Sequence, residues 1–144
     1  MTAAYVAMLE RLCRLADIPA AEQTQVVAQQ AMMMDGLPTH FRFEAWSGFV
    51  KIYMEIGQPA PANLPALCQT IVEQQLMLPA PFTMLTALDP ASGNLVLYAC
   101  APLAVSNSED EAFLAFLQAC GEAAQLMRGA LEDRDSSFMV QGYS

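Results

Sequence analysis

Residues 82–131 read FTMLTALDPASGNLVLYACAPLAVSNSEDEAFLAFLQACGEAAQLMRGAL, and the order of patterns within them decides the fold. Phe82–Leu88 is an apolar, β-prone run, Asp89–Asn94 is a cluster of turn residues, and Leu95–Ala101 is a second β-prone run. Two such runs around a Pro/Ser/Gly/Asn loop specify a hairpin. Ser108 and Glu111 have the spacing of a capping box, in which each side chain satisfies a backbone N–H of the other residue. Glu109, Asp110 and Glu111 together suit the positive end of a helix dipole. Beyond them Phe113, Phe116, Leu117, Cys120, Ala124, Met127 and Leu131 recur at helical spacing, an apolar stripe that needs a sheet to cover.

The sheet is found upstream. Thr39, Phe41, Phe43 and Ala45 alternate with His40, Arg42 and Glu44; Val50, Ile52, Met54 and Ile56 alternate with Lys51, Tyr53 and Glu55. Period two with one apolar series marks half-buried antiparallel strands, here paired across Ser47-Gly48. Between these strands and the second hairpin, Leu64, Leu67, Cys68, Ile71 and Val72 mark a helix over Leu64–Met77, with Asn63 placed to cap it and Pro79-Ala80-Pro81 to stop it. Another helix is expected over Ala3–Ala16, with Tyr5, Met8, Leu9, Leu12 and Leu15 on one stripe and Asp17-Ile18-Pro19 ending it. Residues 20–36 read both ways: Ala/Gln/Met content favours helix, yet Val26, Ala28, Gln30, Met32 and Met34 alternate as a strand would, closed by the turn signal Asp35-Gly36.

With 144 residues the chain makes one domain, over 1–132, with 133–144 read as a flexible polar tail. A chain of this length buries about two-thirds of its unfolded surface. It is 55% hydrophobic and 15% charged, an apolar excess that points to an oligomer interface or a partner surface. Membrane insertion is not expected, because Pro, Asp, Glu or Gln breaks every apolar run well short of about 20 residues. Met1–Tyr5 carries no basic signal region, so the expected location is cytoplasmic. A net charge of −9 with no Lys/Arg cluster argues against nucleic acid, whose binding needs basic neutralisation of phosphates.

The inventory for catalysis is thin. His40 is the single histidine and falls on the polar side of a strand. Cys13, Cys68, Cys100 and Cys120 are far apart, with no CxxC pair, and read as small apolar residues rather than zinc ligands. Neither GxGxxG nor GxxxxGK[ST] occurs, so no phosphate cradle and no cofactor is expected. The unusual feature is ten methionines, including Met32-Met33-Met34. An unbranched thioether repacks readily against varied partners. If 32–34 is a strand, Met33 points away from the face that Met32 and Met34 share.

Taken together, TMLTALDPASGNLVLYACAPL followed by EDEAFLAFLQACGEAAQLMRGAL resembles the Tir-chaperone (CesT-like) family of class I type III secretion chaperones. FVKIYMEIGQPAPANLPALCQTIVEQQLMLP is similar to the family's third strand, loop and central helix, and VVAQQAMMMDG stands where the family has its first strand. The resemblance runs from Val6 to Leu131 and favours a strand over Val26–Met34. It implies an α+β fold in the order α-β-β-β-α-β-β-α, a twisted antiparallel sheet packed against helices, in a homodimer. It implies a bacterial cytoplasmic protein, without catalysis, that holds the N-terminal segment of a secreted effector in an export-competent state. By that resemblance Leu9, Leu12, Val26, Ala28, Met32, Met33, Met34 and Phe41 are the candidates for effector contact. Leu67, Ile71, Leu76, Leu85 and Leu97 are the candidates for the dimer contact. Two other readings stand beside it: a small YbjN-like interaction or regulatory protein outside secretion, and a thiol-dependent enzyme using Cys100 or Cys120.

Overall fold

Thr2 starts the first helix, its hydroxyl oxygen accepting the Tyr5 N–H at 3.3 Å. In this computed structural model, which describes residues 2–77, 83–103 and 111–143, that helix (α1) runs Ala3–Leu15. It ends as expected, with Asp17 in a left-handed conformation at φ 55°.

The next stretch corrects the sequence reading. Val26–Met34 is not one strand: α2 occupies Ala20–Gln29 and only Ala31–Met34 (β1) is extended. Pro19 precedes the helix with φ −55°, Glu22 lies in its first turn, and Gln30 closes it at φ 54° with its N–H donating to the Val26 carbonyl. Val26 and Ala28 are therefore helical. No α2 side chain is buried, so the segment lacks the apolar stripe by which a helix announces itself. Among the described residues the order is α-α-β-β-β-α-β-β-α, with α2 added to the expected elements.

β2 (Leu37–Glu44) and β3 (Phe49–Gly57) form the expected hairpin. The β1–β2 connection is the two-residue turn Asp35-Gly36 with φ 52° and 77°; positive φ at both positions is the type I′ geometry whose twist suits a hairpin. α3 spans Leu64–Gln74 and tightens into a 3-10 turn at Gln75–Met77, matching the helix expected over 64–77. Asn63 precedes α3 without making a side-chain cap bond to it. β4 (Thr83–Leu88) and β5 (Leu95–Pro102) are the second hairpin. The proposed Ser108 capping box lies outside the described residues. The last helix, α4, runs Glu111–Tyr143, carrying helical backbone through the stretch read as a tail.

The five strands form one antiparallel sheet in the order β1-β2-β3-β5-β4. Its inner face carries Phe41, Ile52, Met54, Leu97 and Ala99, buried under Tyr5, Met8, Leu9 and Leu12 of α1, Leu67 and Ile71 of α3, and Phe116, Cys120, Ala124 and Met127 of α4. Each buried large side chain contributes about 1.5–3 kcal/mol relative to exposure. At the end of β3 the pairing shifts between Glu55 and Gly57, and the chain passes close under α4. Gly57 has φ 155°, and a Cβ there would lie 2.9 Å from Leu131 Cδ2, so the position admits no side chain without a shift.

The two outer strands, β1 and β4, differ in how their edges are left. At β4 the Gln75 side-chain amide behaves like a residue of a sixth strand. Its Oε1 accepts the Thr86 N–H at 3.1 Å and its Nε2 donates to the Thr86 carbonyl at 3.4 Å. Covering unpaired ladder groups guards an edge against sheet-to-sheet association. Gln75→Ala is expected to raise amide exchange at Thr86 by about tenfold, the equivalent of one to two net hydrogen bonds. Unchanged exchange would show that the amide does not guard that edge.

Candidate functional site

The β1 edge is guarded by no comparable side chain among the described residues. The Phe41 N–H donates to the Gln30 carbonyl at 2.8 Å. Antiparallel alternation from that bond turns the N–H and C=O of Ala31 and Met33 outward. Met32 faces the core at 6% exposure, while Met33 on the opposite face is 59% exposed. Pro38 stands opposite Met33 in the register, at a non-hydrogen-bonded pair where its missing N–H removes nothing from the β1–β2 ladder.

Two grooves share Met33. The first, about 260 Å³, is walled by Leu12 and Leu15 of α1, Met34 of β1, Asp35 of the turn and Leu117 of α4. The second, about 300 Å³, is walled by Ile18, Glu22, Val26 and Gln29 around α2 and by Met32. Apolar walls beside outward-facing backbone groups can take an extended polypeptide, with pairing along the edge and side chains in the grooves.

Of the residues expected to meet an effector, Leu12, Val26, Met32, Met33 and Met34 line these grooves. Leu9 and Phe41 are buried in the core, and Ala28 is exposed on α2 outside both grooves. Leu15, half exposed, belongs to the first groove although its spacing reads as core.

A second apolar surface lies on the outer face of β3, β5 and β4. Tyr53 and Tyr98 meet there with ring centroids 5.2 Å apart. With Leu85, Ala87 and Val96 they line a hollow of about 580 Å³, rimmed by Lys51. Lys51 Nζ pairs with Glu44 Oε2 at 2.6 Å, which holds the Glu44 carboxyl below its ordinary range. Val72 on α3 and Leu76 in the 3-10 turn after it stand 71% and 92% exposed. Of the residues expected at a dimer contact, Leu76 and Leu85 are exposed here, whereas Leu67, Ile71 and Leu97 face the core of their own chain. The spacing groups Val72 with Ile71 on one stripe and gives no sign that Val72 is exposed.

The residues weighed for catalysis do not come together. Register sets His40 opposite Tyr53 and Tyr53 opposite Tyr98, so His40 and Cys100 are separated by two strand spacings, about 9.5 Å, and a two-residue offset. That is too far for a Cys–His pair. His40 Nε2 lies instead 3.6 Å from Glu55 Oε2. Cys120 is buried on the other side of the sheet, and burial pushes its thiol up to about 12, far from a reactive thiolate. Among the described residues no three His, Cys, Asp or Glu side chains are grouped to hold a metal ion. No helix among them is long and apolar enough to cross a membrane.

Solved structures share this fold. A chain of the ExsC–ExsE complex superposes with a TM-score of 0.63 at 14% identity, covering 91% of this chain and 96% of that one. A chain of the ExoT–SpcS complex from Pseudomonas aeruginosa gives 0.56 at 20% identity, over 87% and 97%. A chain of the HopA1–SchA chaperone–effector complex gives 0.54 at 14% identity, over 90% and 94%. Among curated proteins none matches the sequence. The profile of the Tir chaperone protein (CesT) family matches residues 9–128, from within α1 into α4. The match favours the secretion-chaperone reading over the regulatory and enzymatic ones, since the family is one of effector-binding proteins without catalytic activity. The chain belongs to the Tir chaperone protein (CesT) family of type III secretion chaperones.

Proposed function

We propose that this protein is a cytoplasmic homodimer that binds the N-terminal region of a secreted effector and keeps it soluble and export-competent. The observation that carries the reading is the β1 edge: an exposed Met33 between two apolar-walled grooves, beside backbone groups free to pair. An effector segment would add as a strand along Ala31–Met34 and seat side chains on either side of Met33. The Gln75 clamp on β4 supports the choice of edge, since it occupies the ladder groups of Thr86 at the other side of the sheet. The neighbouring structures are complexes, and one of them, HopA1–SchA, is a chaperone–effector complex.

For the dimer, Val72 on α3, Leu76 in the 3-10 turn after it and Leu85 on β4 are the supporting residues, exposed to an extent that a lone chain leaves uncovered. Co-expression with the product of the neighbouring gene tests the whole reading. The expected result is a stable complex that fixes the first part of that product and protects it from proteolysis. A neighbour that stays soluble alone and never co-purifies would overturn it.

A further inference from the structure

We infer that the Met33 grooves select an extended segment bearing Lys or Arg among its apolar anchors, with Asp35 and Glu22 as the selecting groups. The inference rests on the reading of β1 as the effector edge and names the chemistry of the segment that edge prefers. Among the described residues each groove contains one charged residue, and both are acids: Asp35 in the first and Glu22 in the second. Neither makes an ion pair among the described residues. Among the described residues no cation lines either groove, and the chain as a whole carries −9.

Asp35 is exposed to solvent, and its backbone is held in place. Its backbone is set by the type I′ turn, and its carbonyl accepts the Gln125 Nε2 donor at 3.1 Å from α4. Its Oδ2 lies 2.8 Å from where a Cβ on Gly121 would stand, so the carboxylate rests against α4 at a position where no side chain stands in its way. The groove beside it has apolar walls from Leu12, Leu15 and Met34. A Lys or Arg side chain matches both halves of that surface, its methylene stem on the walls and its charged head at the acid. The second groove repeats the combination, with Ile18, Val26 and Met32 as walls and Glu22 as the acid. A purely apolar anchor would leave both carboxylates without a partner. An acidic one would meet like charge in both grooves.

Three acetylated ten-residue strand peptides test this. They are identical except that the two groove-facing positions are Lys, norleucine or Glu. Binding to the purified full-length protein is read by fluorescence anisotropy at low and high salt. The expected order is Lys, then norleucine, then Glu, with a Lys advantage of about tenfold at low salt that shrinks as salt rises. D35N combined with E22Q should abolish that advantage without weakening the norleucine peptide. Asn-Gly keeps the I′ turn, so D35N preserves the groove. E73Q combined with E132Q makes the same change in net charge at exposed positions elsewhere and should leave the advantage intact. If Lys gains nothing, or if both double variants lower it equally, the charge selection is overturned. The docking reading still stands in that case, provided the norleucine peptide binds and Met33→Asp weakens it. If no peptide binds in a Met33-dependent way, the selection and the reading of β1 as the effector edge fall together.

Discussion

Met33→Asp is expected to weaken effector capture by at least about thirtyfold, the loss of a central contact worth about 2 kcal/mol. Its thermal stability should stay within about 0.5 kcal/mol of the wild type, as for surface positions generally. The two effects separate because Met33 is 59% exposed and sits on the side of β1 away from the core. In the free chain an aspartate there is solvated. In the complex it would be desolvated between two apolar walls and near Asp35, with no cation among the described residues of either groove lining. Met32→Asp provides the contrast. That residue faces inward at 6% exposure, so the same charge would be buried without a partner and should unfold the protein. Leu9→Ala belongs with Met32 despite its place among the effector candidates, because Leu9 is fully buried and truncation there should remove about 2–5 kcal/mol of stability. Pull-down of the co-encoded effector beside a denaturation curve measures both quantities. A Met33→Asp protein that captures normally sinks the assignment of this edge.

What the sequence made legible was whatever a period could express. The α4 stripe of Phe116, Leu117, Cys120, Ala124, Met127 and Leu131 is buried as its spacing requires, and the alternation over 39–56 gives the inner face of β2 and β3. Met33 was legible for the same reason, since period two sets it against Met32 and Met34. α2 was not. Its Ala and Gln residues satisfy helix and strand patterns equally, and with nothing buried the only decisive features are backbone ones, such as Gln30 in a left-handed conformation. Leu9, Phe41, Leu67 and Leu97 show a further limit. An apolar residue at the right period marks burial, and the period does not say whether the covering surface belongs to the same chain or to another. The Gln75–Thr86 clamp joins residues 11 apart through a side chain, which no periodicity announces.

Leu76→Asp is the second large effect, expected on assembly and not on folding. Leu76 is 92% exposed and Val72, one turn before it, is 71% exposed, so the two make an apolar ridge standing off the core. Within one chain the substitution removes almost no burial, and the unfolding midpoint of a monomer should not move. In a two-fold dimer each residue is used twice. If about 2 kcal/mol accompanies burial of each Leu76 side chain, one substitution weakens association by about 4 kcal/mol, close to a thousandfold in Kd. Sedimentation at micromolar concentration should then show a dimer for the wild type and a folded monomer for the variant. Leu67→Ala, by contrast, acts on a side chain buried in its own core and should lower stability in monomer and dimer alike. The Gln75 clamp sharpens the expectation. With Thr86 already bonded, two copies meeting at this end must join through side chains such as Leu76 and Leu85 and not by β4–β4 pairing. Gln75→Ala, which frees that edge, should therefore leave the dimer's affinity nearly unchanged where Leu76→Asp abolishes it. The reverse ranking would place the dimer contact on the strand edge and remove Leu76 from it.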